Sequence, residues 1–121
     1  MTASPLALRR IVVADDDEDM RLYLRGCLRA FGVDDVLEAA DGEAALLLAH
    51  EPGVELVMAD LRMPGLDGEA LCRALHADAA TAAIPVLLIS GEADAQPACA
   101  DRFLAKPFNA TRLRAHIASL L

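Results

Sequence analysis

The sequence predicts an α/β domain built on a parallel sheet, and three observations predict it. Four continuous apolar runs, Ile11 to Ala14, Leu56 to Ala59, Ile84 to Ile89 and Phe103 to Ala105, lack polar alternation, as strands buried on both faces do. Between the runs the apolar spacing changes to that of helices, so strand and helix alternate along the chain. Each run also hands over to a residue able to do chemistry: Asp15-Asp16, Asp60, Ser90 and Lys106. If the strands are parallel neighbours, those groups share the carboxyl edge of one sheet, where open α/β sheets bind ligands.

The first strand, Ile11 to Ala14, runs into the acidic cluster Asp15 to Glu18 and Asp19, and a helix begins straight after it. Met20, Leu24, Cys27, Leu28 and Phe31 form one face of that helix, which stops at Gly32. Val36 to Ala39 is a shorter, more polar strand, suited to a sheet edge. Asp41 caps a second helix running from Gly42 and Glu43 to His50, and Pro52-Gly53 ends it. The strand ending at Asp60 leads into the loop Leu61 to Leu66. Asp67 caps a third helix through Leu71, Cys72 and Leu75. Ala79 to Ala83 connects to the strand ending at Ser90, and the closing helix runs from Asn109 to Leu121, with Leu113, Ile117, Leu120 and Leu121 inward.

With 121 residues the chain is one domain with one core. Hydrophobic residues make up 55% and aromatic ones only 3%, so Ala, Leu and Val must do the packing. A formal net charge of −8 and the lack of a basic stripe argue against nucleic acid and anionic membranes as partners, and favour another protein. Cys27, Cys72 and Cys99 are odd in number, lack metal-like spacing and lie in helix-like stretches. They are expected to be reduced packing residues of a cytosolic protein. Residues 1–10 carry no export pattern and no apolar run approaches a membrane span, so the expected location is cytoplasmic.

Any one of the strand-end residues alone would read as a cap or loop residue; together they carry more. Asp15, Asp16 and Asp60 converging without a cation would repel strongly. All-oxygen donors without His or Cys suit a hard divalent ion, and few carboxylates suit Mg²⁺ better than Ca²⁺. Lys106 adds a compact positive charge and Ser90 a hydroxyl. The set fits a phosphoryl site in which Asp60, alone at its strand end, is the nucleophile.

In these residues the chain resembles a response-regulator receiver domain over essentially its whole length, residues 1–121. The matching stretches are IVVADDDEDMR from Ile11, EAADGEAAL from Glu38, LVMADLRMPGLDG from Leu56, IPVLLIS from Ile84 and FLAKPF from Phe103. The resemblance implies a flavodoxin-like, doubly wound five-stranded sheet of order 2-1-3-4-5. It implies Asp60 as phosphoacceptor, Asp15, Asp16, Asp60 and the Arg62 carbonyl as Mg²⁺ ligands, and Ser90 and Phe103 as switch residues. Lys106 would complete the site, and Lys106-Pro107 would be a cis peptide bond. Implied partners are a histidine kinase or histidine phosphotransfer protein and a downstream protein target. Arg62 and Glu92, each two residues beyond a site residue, are placed to pair across the site and obstruct the water that hydrolyses an acyl phosphate.

One interval departs from the family pattern. Fifteen residues separate Ser90 from Lys106, about six fewer than usual, nearly two helical turns at roughly 3.6 residues per turn. The stretch 91–101 opens with Gly91 and contains Pro97, so the helix between the last two strands, fourth in the family's order, should be short or absent. The chain is expected to catalyse its own phosphorylation and dephosphorylation without being an enzyme on an external substrate. Two alternatives are a receiver module excised from a hybrid kinase and a small phosphohydrolase of the haloacid-dehalogenase kind. The second needs an Asp two residues after the nucleophile, where this chain has Arg62.

Overall fold

The computed structural model describes residues 9–92 and 98–121. Nine elements follow in order: β1 (Arg10–Ala14), α1 (Glu18–Ala30), β2 (Asp35–Ala39), α2 (Gly42–Ala49), β3 (Val54–Asp60), α3 (Gly68–Ala77), β4 (Val86–Ser90), β5 (Arg102–Ala105) and α4 (Ala110–Leu120). The strands form one sheet of order β2-β1-β3-β4-β5, with every adjacent pair parallel. The fold is flavodoxin-like, as the family resemblance implies.

Period-two alternation divides each central strand between two cores. Val12, Ala14, Val57, Ala59 and Leu88 face α2 and α3 through Ala45, Ala49, Leu71, Cys72 and Leu75. Ile11, Val13, Leu56, Met58, Leu87, Ile89 and Leu104 face the other way, onto Leu24 and Leu28 of α1 and Leu113 and Ile117 of α4. Burial on both faces explains why these strands read as unbroken apolar runs. The edge strand β2 is buried only at Ala39, and the other edge strand, β5, only at Leu104.

Each helix starts on a side-chain oxygen that accepts a backbone N–H. Asp17 accepts from Asp19, Asp41 from Ala44, Asp67 from Ala70 and Asn109 from Arg112. Such caps contribute about 1 kcal/mol apiece. Helix α1 thus begins inside the acidic cluster, with Glu18 and Asp19 in its first turn, where carboxylates complement the helix dipole. It ends at Gly32, whose φ of 101° is the left-handed conformation that glycine adopts without strain.

Two expectations need refinement or correction. Among the described residues no helix lies between β4 and β5: Gly91, Glu92 and 98–101 are irregular, and 93–97 lie outside the described residues. Among the described residues the fourth helix is therefore the C-terminal one. The cysteine expectation is overturned for two of the three. Cys72 and Cys99 form a disulfide, with Cα atoms 6.1 Å apart and a sequence separation of 27, and Cys99 is not helical. The irregular chain entering β5 lays Cys99 against the inward face of α3, a tertiary contact that sequence spacing does not encode. Cys27 remains a free thiol. No helix among the described residues is long and apolar enough to cross a membrane.

Candidate functional site

The parallel register sets the site. Ala14 pairs with Ala59, Asp60 with Ile89 and Ser90 with Ala105, so β1, β3, β4 and β5 end along one line. Asp15 and Asp16 follow β1, Asp60 and Ser90 close β3 and β4, and Lys106 follows β5. One oxygen from each of Asp15, Asp16 and Asp60 lies within 4.8 Å of the others. Lys106 Nζ is 3.6 Å from Asp60 Oδ1.

Asp15 is 2% exposed. Its Oδ1 accepts the Asp17 backbone N–H at 2.9 Å, and its carbonyl accepts from Arg21 at 2.7 Å, which fixes the turn into α1. Burial pushes the Asp15 carboxyl above its ordinary range against the pull of the Asp17 N–H, and the negative charge of Asp60 adds to the rise. Asp60 is likewise raised, first by burial, with Lys106 opposing and Asp16 reinforcing. Asp16 is exposed. Two desolvated carboxylates and a third at the rim make a strong demand for positive charge, which Lys106 meets only in part. The donors are all oxygen and one position faces solvent, so the residues fit a hard divalent cation that keeps waters.

The other expected residues fall into place differently. Ser90 is buried at the same edge, and its Oγ accepts the Glu92 backbone N–H at 2.9 Å. Phe103 is half-buried on β5 and packs on the core beneath α2 and α3, alongside Cys99 and Ala100. The Arg62 backbone N–H pulls the Asp60 carboxyl down, so the chain just beyond β3 turns back on its own strand end. The Arg62 side chain reaches Glu92 in a two-pronged pair, Nε to Oε1 at 2.7 Å and Nη2 to Oε2 at 3.1 Å. Lys106-Pro107 is a cis peptide bond. Beside Asp16, a cleft of ≈ 430 Å³ is lined by Arg62, Met63, Pro64, Gly65 and Asp67.

Two supports escape the sequence reading. Glu43 Oε1 accepts the Leu66 backbone N–H at 3.1 Å and so anchors the loop after β3 to α2. Away from the acidic edge, His76 joins Cys72 and Cys99 in a second cluster, with ligand atoms within 4.8 Å of one another. Its signal was present in the spacing: Cys72 and His76 are four apart, on one face of a helix.

Fold and site together define a class, the small doubly wound α/β domains with an acid cluster and a lysine at the carboxyl edge of the sheet. The chain belongs to the response regulator receiver domain family, whose model matches residues 11–118. It is 33% identical over 114 residues to the chemotaxis protein CheY of Pseudomonas aeruginosa, covering 89% of this chain and 92% of that protein. The signal receiver domain of a histidine kinase from Syntrophus aciditrophicus superposes with a TM-score of 0.85 at 28% identity, over 93% of this chain and 89% of that one. The response regulator TrrA of Thermotoga maritima, solved in complex with Mg²⁺ and BeF, gives 0.85 at 26% identity over 94% and 100%. The protein is a receiver of two-component signalling.

Proposed function

We propose that this receiver takes a phosphoryl group onto Asp60, from a histidine kinase or a histidine phosphotransfer protein, and that the aspartyl phosphate changes its interactions with a downstream protein. The observation that carries this is the half-desolvated Asp60 carboxylate, set between two further carboxylates and the ammonium of Lys106 at 3.6 Å. In the transfer an Asp60 oxygen attacks phosphorus in line. The phosphorus bond to the donor's nitrogen, or to the oxygen of a small acyl phosphate, breaks, and that atom leaves with the electron pair. Lys106 lies where it would offset the charge of the transferring group, and the Ser90 hydroxyl is within the same strand edge to donate to a phosphoryl oxygen once it leaves the Glu92 N–H. Phe103, in this proposal, repacks when Ser90 moves.

Mg²⁺ would be held by Asp15, Asp16, Asp60 and the Arg62 carbonyl. When bound it would supply the positive charge that the carboxylates and phosphoryl oxygens require. The clustering of all-oxygen donors supports this ion, and the TrrA structure contains it in that protein. The chain would act on itself alone, in the cytoplasm, with neither nucleic acid nor membrane as a partner, in keeping with its net charge of −8. A second proposal, a module of a hybrid kinase, draws support from the likeness to the Syntrophus receiver.

The test is incubation with acetyl phosphate and Mg²⁺ followed by intact mass measurement. The wild type should gain one phosphoryl group and Asp60→Asn none. An undiminished adduct on Asp60→Asn, or none on the wild type, would refute the assignment.

A further inference from the structure

The Cys72–Cys99 disulfide lies outside the acidic edge and shares no residue with it. Its two sulfurs differ in access: Cys72 is wholly buried on the inner face of α3, while Cys99 is partly exposed in the irregular chain that enters β5. His76, one turn beyond Cys72, points Nδ1 at both sulfurs, 3.3 Å from Cys99 Sγ and 4.0 Å from Cys72 Sγ. Its other nitrogen, Nε2, lies 3.9 Å from Asp101 Oδ2, and that same oxygen accepts the Val86 backbone N–H at 2.8 Å. Cys99 is held from the other side, its N–H donating to Glu69 Oε1 at 3.3 Å. The imidazole is thus oriented by a fixed carboxylate with its free edge toward the S–S bond, at the one sulfur that solvent reaches.

We propose that Cys72, His76 and Cys99 form a thiol–disulfide exchange site for low-molecular-weight thiols, entered at Cys99. Exchange requires the attacking sulfur to reach one member of the pair, and burial leaves only Cys99. An incoming thiol gives up its proton and bonds to Cys99 Sγ. The S–S bond breaks and Cys72 Sγ leaves with the electron pair as a thiolate. His76 lies between the two points and carries the proton from the incoming thiol to the departing one. A second thiol then attacks the external sulfur of the mixed disulfide, and Cys99 Sγ leaves with the electron pair and takes up that thiol's proton, giving a Cys72–Cys99 dithiol and one external disulfide. The reverse sequence uses an external disulfide as oxidant. Exchange makes and breaks the covalent tie between α3 and the shortened connection from Ser90 to β5. It is a chemical input separate from Asp60 and independent of any phosphoryl chemistry there, because its readout is thiol mass with no phosphoryl donor present.

The experiment uses the full chain carrying Cys27→Ser, in mixtures of glutathione and glutathione disulfide, with acid quench, alkylation and peptide mass mapping. Two thiols should disappear as the disulfide form rises and return as glutathione is added, with the transient glutathione adduct on Cys99. Cys72→Ala should accumulate that adduct, and Cys99→Ala should leave Cys72 unmodified while the chain is folded. His76→Ala should slow exchange by about tenfold or more and leave the equilibrium thiol-to-disulfide ratio unchanged, a split that loss of packing alone does not produce. Mapping of the Cys27→Ser chain itself does not depend on the folding of the further variants. Two free thiols in every mixture, an adduct on Cys72 as readily as on Cys99, or a ratio shifted by His76→Ala at unchanged rate would each overturn the proposal. So would a reduced chain that retains one equivalent of zinc and loses it with any of the three residues, which would make the cluster a metal site instead.

Discussion

At the scale of single residues, Arg62 and Glu92 pair outside the ends of β3 and β4, with side chains 65% and 51% exposed. Exposed pairs contribute little to stability, so any consequence must lie in what they cover. Each stands two residues beyond a residue of the acidic edge, and the two-pronged pair joins the chain after β3 to the chain after β4; the proposal is that it holds off water once an acyl phosphate has formed on Asp60. Arg62→Ala and Glu92→Ala should each speed loss of the phosphoryl adduct several-fold while the thermal midpoint stays put, measured by intact mass against time after donor removal. Equal decay in all three proteins would dispose of the idea. This pair was legible through the family resemblance, which singles out the positions two residues beyond Asp60 and Ser90. The direction of the Ser90 hydroxyl was not, since a local hydrogen bond to the Glu92 N–H sets it. The Cys72–Cys99 bond was hidden for another reason: it depends on where an irregular segment lies after folding.

Among the elements, the loop from β3 into α3 is tight enough to need a missing side chain. A Cβ on Gly68 would meet the Asp60 carbonyl oxygen and lie 2.9 Å from Leu61 Cα; both are backbone atoms at the site itself. Gly68→Ala should therefore destabilise the chain by about 1–3 kcal/mol, read as a lower denaturant midpoint. Gly91→Ala, with nothing within 4 Å of its Cβ position, should be close to neutral. A comparable loss at both positions would rule out close approach as the cause. At the far end of α2, His50 Nε2 meets Asp78 Oδ2 at 2.8 Å. The Asp78 hydrogen bond raises the His50 pKa and the same bond lowers that of Asp78. His50 therefore adds stability that is complete below its unfolded value and is lost as pH rises through the folded one. Asp78 adds stability present above its unfolded value and lost as pH falls through its depressed one. Burial, followed by Arg102 and Arg112, lowers His116. In an NMR titration His50 should titrate above His116, and Asp78→Asn should lower His50 while leaving His116 in place. Element types and order were largely readable because helix and strand periods differ and each helix begins on Asp or Asn. The start of β4 was less so: Ile84 and Pro85 extend the apolar run, yet the strand begins at Val86, the residue whose N–H is held by Asp101.

For the molecule as a whole, the acidic edge makes stability and ion binding one problem. Asp15 and Asp60 hold protons more tightly folded than unfolded, chiefly through burial. Their contribution to stability therefore falls as pH rises through that window, and the full cost of two desolvated charges is present at neutral pH. A divalent cation that binds only the folded edge reverses the cost by mass action, growing as the logarithm of its concentration. Mg²⁺ should raise the thermal midpoint of the wild type at neutral pH well beyond NaCl of equal ionic strength, which acts only by screening. Asp60→Asn, by removing one of three mutually repelling carboxylates, should start from a higher midpoint without Mg²⁺ and gain less when it is added. Asp16→Asn removes an exposed carboxylate whose charge bears on Asp60 and Asp15, so its starting midpoint should rise by less than that of Asp60→Asn while its Mg²⁺ response shrinks toward that of NaCl. Differential scanning calorimetry across a Mg²⁺ series separates these cases. A midpoint that follows ionic strength alone in all three proteins would mean that the edge concentrates charge without holding an ion.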